Sequence, residues 1–432
     1  MITADLEVET CPFGRSGVAD ELSRSGLLRH ERVAEVHHRL SQAPRPGRRI
    51  LSGCSHSDGT LEPMTTARRW WIVAIGVLAL LAAPLLVHAL PVEDSAESAT
   101  SLAARIQQSH DVPYSGSAES TGTLQLPAST QFGALGDLLG ERTRLRTWWR
   151  SADDWRVDTV RTTGESDLFH DESGTTRWVY ESLTATRTPN VFVRIPDASD
   201  LLPPILGRRL LDGARPDELS RLPAERIAGR DALGVRLRPS DQQSSIDRVE
   251  VWADPETAVP LRVEVYGDSY GPTDQPGQVA MTTAFSSFSS ELPAASITRF
   301  EPPPGSTTRF ERVLDFASAA DAFAPQEPPA NLAGLGGRRT SAVGAVAVYG
   351  RGPTLLVGVP LWDRAADPIR EQLNSTAGMR HTTSGHFVGT GPLGVLLTDE
   401  DAFGTSWLLT GTVTPATLER AAVELAASGG IG

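Results

Sequence analysis

The chain has 432 residues, more than one ordinary hydrophobic core holds, so we expect more than one domain. Its composition of 40% hydrophobic and 22% charged residues is that of a folded protein and excludes wholesale disorder. All 40 basic residues are Arg, and the residues after position 69 carry 30 Arg against 44 acidic side chains, so this part repels nucleic acid and anionic membrane surfaces.

The strongest single feature is an uncharged apolar run from Trp70 to Leu90, which has the length of a helix that crosses a bilayer. Two Arg precede the run and three acidic residues follow it closely, so the positive-inside rule places residues 1–69 in the cytoplasm and the later residues outside. We therefore predict a single-pass anchor in the cell membrane with extracytoplasmic C-terminal domains.

Two features of the N-terminal region leave alternatives open. Val87-His88-Ala89 ends the apolar run with residues that a signal peptidase reads, so a cleaved signal peptide and a secreted protein are the alternative to the anchor. The stretch from Met64 has the layout of a complete secretory N-terminus, and a start of translation there would leave residues 1–63 untranslated. Both Cys, Cys11 and Cys54, precede the run, so the exported part has no disulfides.

After the run, Asp94 and Glu97 match an N-cap and capping box and predict a helix that continues to about residue 110. From Tyr114 the hydrophobic period changes to two, which predicts strands. Residues 142–150 and 155–159 form a predicted antiparallel hairpin, in which Arg side chains recur on one face and apolar side chains on the other.

Apolar side chains at helical spacing in residues 200–212 predict one or two helices that cover the sheet. Asp254-Pro255 predicts a type I turn between two strands, and Pro302-Pro303-Pro304-Gly305 ends the region. The strands predicted in this half are 177–181, 232–239, 249–252, 261–266, 281–289 and 297–300.

A second domain is predicted after a stretch rich in Pro, Ala and Gly. Thr414 and Pro415 mark the start of its last helix. The other elements predicted there are strands at 342–349, 354–361, 385–388, 394–398 and 407–413 and a helix at 365–374.

Three stretches of the chain resemble the RseB/MucB family of sigma-E factor regulatory proteins. They are residues 249–262 (VEVWADPETAVPLR), 300–305 (FEPPPG) and 407–420 (WLLTGTVTPATLER). The resemblance covers about residues 95–428 and implies an α+β fold: a LolA-like curved antiparallel half-barrel sheet covered by helices, plus a smaller α+β C-terminal domain. An actinobacterial source would fit the use of Arg in place of Lys.

With this resemblance, the chain divides into five expected parts. They are residues 1–69 (cytoplasmic, or not translated before Met64), 70–90 (anchor or signal), 91–305 (LolA/RseB-like domain), 306–338 (linker) and 339–432 (small C-terminal domain).

The resemblance also implies a lipid or lipoprotein ligand and a membrane-bound anti-sigma factor as partner, with no nucleic acid. The function that it implies is a regulator of a sigma-factor/anti-sigma envelope-stress signal, and the apolar run at 70–90, in which the chain departs from the soluble, exported family members, adds the membrane tether. The alternative is a lipid- or lipoprotein-binding accessory module of an envelope transporter.

The sequence favours binding over catalysis. It lacks the Gly-x-Ser-x-Gly of a serine hydrolase elbow, and the exported part has no Cys nucleophile. We predict no catalytic residues, no metal and no cofactor, and we expect His381 and His386 to lie in solvated loops.

The candidate ligand-binding residues are apolar side chains that we expect to face inward from the strands. An ordinary packed core is the alternative, because aromatic side chains are buried in most sheets. The predicted set is Leu145, Trp149, Trp155, Val157, Trp178, Tyr180, Val251 and Val263.

Overall fold

The structure is a computed structural model in which the chain divides into two compact units, residues 1–79 and 80–432. The residues described are 70–71, 73–78, 92–122, 142–161, 164–190, 196–268, 277–310, 328–338, 346–401 and 404–428. In the first unit, residues 70–71 and 73–78 are helical. Across the described ranges we find no helix with both the length and the apolar character needed to cross a membrane. Residues 79–90 of the predicted anchor and all of 1–69 lie outside these ranges.

The second unit contains two sheets, of which the larger has twelve strands. Its strands are β1 (Tyr114–Gly122), β2 (Arg142–Ser151), β3 (Asp154–Arg161), β4 (Gly164–Asp171), β5 (Gly174–Val179), β6 (Thr184–Thr188), β7 (Leu219–Ile227), β8 (Arg230–Leu237), β9 (Ile246–Ala253), β10 (Pro260–Gly267), β11 (Gln278–Ser289) and β12 (Thr307–Phe310). Their order is β12-β6-β5-β4-β3-β2-β1-β11-β10-β9-β8-β7, and only the β12–β6 pair is parallel among them.

Among the described residues, three helices accompany this sheet: α1 (Ala99–Gln108), α2 (Pro203–Leu211) and the single turn α3 (Ala295–Thr298). Single 3₁₀ turns lie at Ser109–Asp111, Ala198–Leu201 and Pro216–Glu218. α1 begins after Ser98, whose hydroxyl accepts a hydrogen bond from the Ser101 N–H. α2 begins with Pro203 and Pro204, which suit a first helical turn because its N–H groups have no partner inside the helix.

The larger sheet is strongly curved. β7 contacts β11 although β8, β9 and β10 lie between them in the sheet, so this half curls on itself. α1 packs against β7 and β8, and α2 packs against β10 and β11. We call the face of the sheet that carries Val235, Val251 and Val263 the inner face, and its opposite the outer face. Leu102 and Ile106 of α1 lie in the same buried cluster as these three residues.

The smaller sheet has eight antiparallel strands and a helix on each face. The strands are β13 (Asn331–Leu332), β14 (Leu335–Arg338), β15 (Ala347–Arg351), β16 (Thr354–Trp362), β17 (Arg380–Thr382), β18 (Gly385–Thr390), β19 (Leu393–Thr398) and β20 (Thr405–Gly411), and the helices are α4 (Asp363–Asn374) and α5 (Pro415–Ser428). Their order is β13-β14-β15-β16-β20-β19-β18-β17. Leu396 belongs to the cluster under α5 and its neighbour Leu397 to the cluster under α4, as alternation along a strand requires.

The two sheets are joined directly. The Thr414 N–H donates to the Gln243 carbonyl at 2.8 Å, and the Ser245 N–H donates to the Thr412 carbonyl at 3.2 Å. Arg351 of β15 reaches across to the larger domain and binds both carboxylate oxygens of Glu218, at 2.6 and 2.8 Å. We call these contacts the joint.

The described structure confirms the predicted α+β class, with a curved antiparallel sheet covered by helices and a smaller second sheet. Two local predictions were wrong. The N-cap of α1 is Ser98 and not Asp94, because Asp94 instead binds the Ser95 N–H and Arg221. Residues 297–300 are not a strand, since α3 covers Ala295–Thr298.

The stretch 306–338, which we expected to be a linker, contributes short strands to both sheets. These strands are β12, β13 and β14. The domain boundaries themselves remain a proposal.

Candidate functional site

A row of aromatic rings crosses five neighbouring strands on the inner face of the larger sheet. It runs from β11 through β1, β2 and β3 to β4, with the members Phe288, Tyr114, Trp149, Trp155 and His170. Successive ring centroids are 6.2, 5.7, 5.7 and 4.8 Å apart, and the planes differ by 24, 5, 6 and 8°. We call this set the aromatic row.

The strand register produces the aromatic row. Trp149 lies directly opposite Tyr114 on one side and Trp155 on the other, and Trp155 lies opposite His170. Aromatic side chains at directly opposed positions of an antiparallel pair are close enough to contact, which stabilises the pairing of the strands. Four consecutive strands therefore present one continuous ring surface.

The burial of the rings changes along the aromatic row. Tyr114, Trp149 and Trp155 are buried, whereas Phe288 and His170 at the two ends are half-buried. The His170 Nδ1 lies 2.8 Å from the Thr175 hydroxyl. The row thus begins and ends within reach of solvent and passes through the core between these ends.

The structure brings six of the eight predicted ligand-binding residues into one buried cluster. They are Leu145, Trp149, Trp155, Val157, Val251 and Val263. The other two do not join them. Trp178 packs with Phe169, Ala185 and Phe300 in a separate cluster, and Tyr180 is 45% exposed.

The shared inward face that we expected is therefore incorrect for Trp178 and Tyr180. Trp178 lies opposite Asp167, which in turn lies opposite Asp158, and this line of residues points to the outer face. Tyr180 lies just beyond the end of β5, where its hydroxyl donates to Asp167 at 3.0 Å. Ligand binding by the other six remains a prediction.

Several polar atoms on the inner face are buried without a hydrogen-bond partner among the described residues. They are Tyr114 OH, Trp149 Nε1, Thr147 Oγ1 and Ser120 Oγ of the sheet and Arg208 Nη1 of α2. Burial raises the pKa of Tyr114, and burial lowers the pKa of Arg208 although Tyr114 and Asp111 act electrostatically against that change. A buried polar atom without a hydrogen-bond partner is costly in an apolar core.

The outer face carries a cluster of charged side chains on β2, β3 and β4. Asp158 and Asp167 are both buried and lie opposite each other in the register. Arg156 binds both, with Nε 2.6 Å from Asp158 Oδ1 and Nη2 2.7 Å from Asp167 Oδ2. Arg146 reaches Asp158 at 3.6 Å and also pairs with Glu165.

Burial has the largest effect on the pKa values of Asp158 and Asp167. It raises the pKa of Asp158 to about 6 despite the hydrogen bond from Arg156, and it raises the pKa of Asp167 as well. The carboxylates of Asp158, Glu165 and Asp167 lie within 4.8 Å of one another, as in a metal site. Two guanidinium groups already bind these oxygens, so we assign the cluster to charge pairing.

A shallow groove of about 640 Å³ lies next to this cluster. Glu119, Arg144, Arg146, Val160 and Glu165 are among its lining residues. Arg142 and Arg144 both pair with Glu119, so the charges on its walls largely compensate one another.

The two His residues lie in strands of the smaller sheet and not in loops; His381 is exposed, as expected, whereas His386 is not. His386 is buried in β18, with Nδ1 2.8 Å from the Asn374 amide oxygen, and His381 of β17 lies opposite it at a ring distance of 4.5 Å. Burial lowers the pKa of His386, and the nearby His381 adds to that effect. The Asn374 contact ties the β17–β18 hairpin to α4, which is a structural role.

Sequence reasoning missed Tyr114, His170, Phe288 and Arg208. Tyr114 was assigned to the start of a strand, and its position opposite Trp149 depends on the pairing of β1 with β2. Arg208 was placed correctly in a helix, but the side of α2 that faces the sheet depends on packing. A count of apolar positions on each predicted strand would have found Phe288. It would not have found the contact of Phe288 with Tyr114, which depends on the fold.

Neither a protein-family model nor a curated protein sequence matches the chain. Among solved structures, the chain is similar to the MucA/MucB complex of Pseudomonas aeruginosa at 15% identity and a TM-score of 0.42, covering 75% of this chain and 96% of that chain. A crystal structure of MucB gives 15% identity, a TM-score of 0.41, and coverage of 77% and 98%.

A LolA superfamily protein from Nitrosomonas europaea is also similar, at 13% identity and a TM-score of 0.19, covering 48% of this chain and 99% of that chain. The similarity to MucB and to LolA-like proteins that we expected from the sequence is therefore found among solved structures.

Proposed function

We propose that the chain is a membrane-tethered, extracytoplasmic regulator that binds a lipid or a protein partner on the inner face of its larger sheet. The aromatic row is the observation that carries this proposal. It offers a continuous ring surface across the strands from β11 to β4, with half-buried rings at both ends. Apolar sites with a few polar groups at defined positions are typical of ligand-binding clefts.

Binding fits the described side chains better than catalysis does. The acids of the outer face are held by Arg146 and Arg156, and His386 is held by Asn374. A catalytic acid or base needs freedom to exchange its proton with a substrate in a cleft. These groups instead have the partners that structural charge networks have.

The tether is proposed from the apolar run at 70–90. The helical residues 70–71 and 73–78 support it, because large apolar side chains are exposed on them. These include Trp70, Trp71, Val73, Ile75, Val77 and Leu78. Apolar side chains around a whole helix suit a lipid environment better than water. The extracytoplasmic placement of the larger domain follows from the charges that flank this run.

The proposed partner is a membrane-bound anti-sigma factor, which the regulator would shield until a ligand binds. This part rests on the three sequence stretches that resemble the RseB/MucB family. One of them, residues 407–420, includes the Thr412 and Thr414 contacts of the joint. MucB itself is found in a crystal with MucA.

Native mass spectrometry of the full chain, purified gently from its own envelope, tests the ligand part of the proposal. We expect a co-bound lipid that is lost in the double variant Phe288→Ala/His170→Ala, which alters only the half-buried ends of the aromatic row. Trp362→Ala, at a side chain that is 52% exposed in the smaller sheet, is the matched control and keeps the lipid.

A chain free of lipid in every preparation would count against a lipid ligand. Crosslinking in the same envelope then tests the protein partner, with an anti-sigma factor as the expected product. Capture of a transporter subunit in its place would favour the accessory-module alternative.

A further inference from the structure

Two imidazole rings lie together at the edge of the smaller sheet. His381 of β17 is directly opposite His386 of β18 in the antiparallel register, and their ring centroids are 4.5 Å apart. Directly opposed side chains of such a pair are close enough to interact, and neutral imidazole is the commonest metal ligand in proteins. The pair therefore supplies two nitrogen ligands of the kind that zinc and other divalent transition metals bind.

Asn374, at the end of α4, determines which nitrogen of His386 is available. The amide oxygen of Asn374 can only accept a hydrogen bond, so the His386 Nδ1, at 2.8 Å, carries the proton and donates it. The lone pair of the neutral ring is therefore on Nε2. Burial lowers the pKa of His386, and the nearby His381 adds to that effect, so the ring is neutral at pH 7. Histidine ligands of metals are held in this way, with the second ring nitrogen donating to an oxygen.

A carboxylate faces this lone pair. Asp399, the first residue after β19, has its Oδ1 3.9 Å from the His386 Nε2. When the ring is neutral, both atoms carry lone pairs and neither has a proton to share, so a cation between them would bind both. Zinc bonds to nitrogen and to oxygen at about 2.0–2.2 Å, which places such ligand atoms about 3.3 Å apart in tetrahedral geometry. The Asp399 side chain is 71% exposed, so rotation can close the difference.

The charges around the two rings leave Asp399 available to a cation. Arg370 of α4 is near enough to act on His386, but its guanidinium is bound to Asp367 and to the Ser406 hydroxyl. Among the described ion pairs, the carboxylate of Asp399 has His386 as its partner and no Arg. This arrangement differs from that of the acids on the outer face of the larger sheet, whose oxygens two guanidinium groups already bind.

We propose that His381, the Nε2 of His386 and the carboxylate of Asp399 bind one divalent transition-metal ion of the zinc class, with water completing the coordination. His386 is the fixed ligand because it is buried and held by Asn374, and the two exposed residues turn towards it. The ion joins the edge hairpin β17–β18 to the loop after β19. This site departs from our expectation of no metal, and it is independent of the function proposed for the larger sheet.

Titration of the full chain with zinc tests the site, by isothermal titration calorimetry in nonionic detergent on protein purified without a His tag. We expect His381→Ala and Asp399→Asn to bind one zinc ion at least about tenfold more weakly than wild type, because even the loss of an outer partner costs about 10–100-fold. Both side chains are exposed, so both variants should fold. The matched control is His110→Ala. His110 also lies beside a carboxylate, with Nε2 3.0 Å from Asp111, but it is in a 3₁₀ turn and not opposite a second His.

Asn374 offers a second test, which a purely structural role of the two histidines would not pass. Asn374→Asp keeps an oxygen acceptor for the His386 Nδ1 and should bind zinc as wild type does. Asn374→Ala removes the acceptor and should weaken zinc binding by about tenfold. Far-UV circular dichroism of each variant without zinc verifies that it is folded.

Two results would overturn the site. One is equal zinc binding by wild type, His381→Ala and Asp399→Asn, which would leave the His pair with a packing role. The other is a magnesium affinity that equals the zinc affinity at the same step, because magnesium takes oxygen ligands and would not need the imidazoles. Neither result bears on lipid binding at the aromatic row.

Discussion

Trp149 and Trp155 stack nearly parallel across the β2–β3 hairpin, with ring centroids 5.7 Å apart and planes that differ by 6°. They lie directly opposite each other in the register, and both are buried. Their contact therefore stabilises the hairpin from the inner face, while the same two rings form the middle of the aromatic row. Folding and the proposed binding depend here on the same side chains.

Truncation of a central ring should be costly for stability. We expect Trp155→Ala to lower the free energy of unfolding by about 3–5 kcal/mol, because a buried ring is replaced by a cavity. Urea denaturation of the full chain, followed by far-UV circular dichroism, measures the change. Trp362→Ala is the control, and its half-exposed ring should change stability by less than about 0.5 kcal/mol. Equal losses in both variants would show that the central ring is not packed as described.

The acidic pair on the outer face predicts an unusual dependence of stability on pH. The pKa of Asp158 is about 6 in the folded chain against an ordinary value of 3.8, so the folded state binds more protons between these values. Stability should therefore rise as the pH falls from 7 towards 4.5, with an increase in Tm of at least about 2 °C. Scanning calorimetry across this range measures it.

Two matched variants test whether Asp158 causes the pH dependence of Tm. Asp158→Asn keeps the shape and removes the charge, so it should raise Tm at pH 7 and flatten the profile. The groups that face Asp158 are Asp167, Arg146 and Arg156, and Glu165 pairs with Arg146. The control is Asp153→Asn, at an exposed turn position, which should follow the wild-type profile. A wild-type profile in Asp158→Asn would assign the effect to other groups.

The close packing of α2 on β10 predicts a further steric effect. A Cβ on Gly207 would lie 3.1 Å from Pro260 Cγ and 3.3 Å from Val263 Cγ2, so a larger side chain must push the helix away. We expect Gly207→Val to lower the free energy of unfolding by about 1–3 kcal/mol. Gly336→Val, whose Cβ would lie 3.8 Å from its nearest neighbour, Asn331 Oδ1, is the control in the same denaturation assay. Similar losses in both would argue against tight helix–sheet packing.

Alternation along a strand was sufficient to predict that Trp149 and Trp155 face inward from one hairpin, because the period of two is a property of the local sequence. It was not sufficient for Trp178. Both faces of the sheet carry aromatic residues, and the outer face holds Trp148 and Phe169 over Arg156. The face that a strand buries is therefore decided by its neighbours in the sheet.

The same limit applies to the helices. Helical spacing located α2, but its rotation follows from Gly207, which lets the helix approach β10. On this helix the Arg208 Nη1 is buried, whereas the Arg209 side chain is half exposed. Likewise, Ser98 and Asp94 are both good N-caps, and the contact between Asp94 and Arg221 of β7 decides between them. Such choices depend on residues far apart in the sequence.

The joint between the sheets predicts sensitivity to acid. Burial alone would raise the pKa of Glu218, but hydrogen bonds from Arg351, from the Arg215 N–H and from Ser240 outweigh it, so the pKa lies well below its ordinary value of 4.5. A carboxylate with a depressed pKa contributes stability above the unfolded value, and this contribution is lost as the pH falls through the folded value. The joint should therefore begin to weaken below about pH 4.5.

Removal of the Arg351 guanidinium should shift the acid-induced loss of stability at the joint to higher pH. Arg351→Ala leaves the buried Glu218 without its charge partner, and we expect a loss of about 3 kcal/mol at pH 7 and an acid-unfolding midpoint at higher pH. Near-UV circular dichroism during an acid titration measures the midpoint. Arg338→Ala, which breaks the more exposed pair with Asp212 at the same joint, should cost less than about 1 kcal/mol. An unchanged midpoint in Arg351→Ala would show that backbone contacts such as Thr414–Gln243 hold the joint without this ion pair.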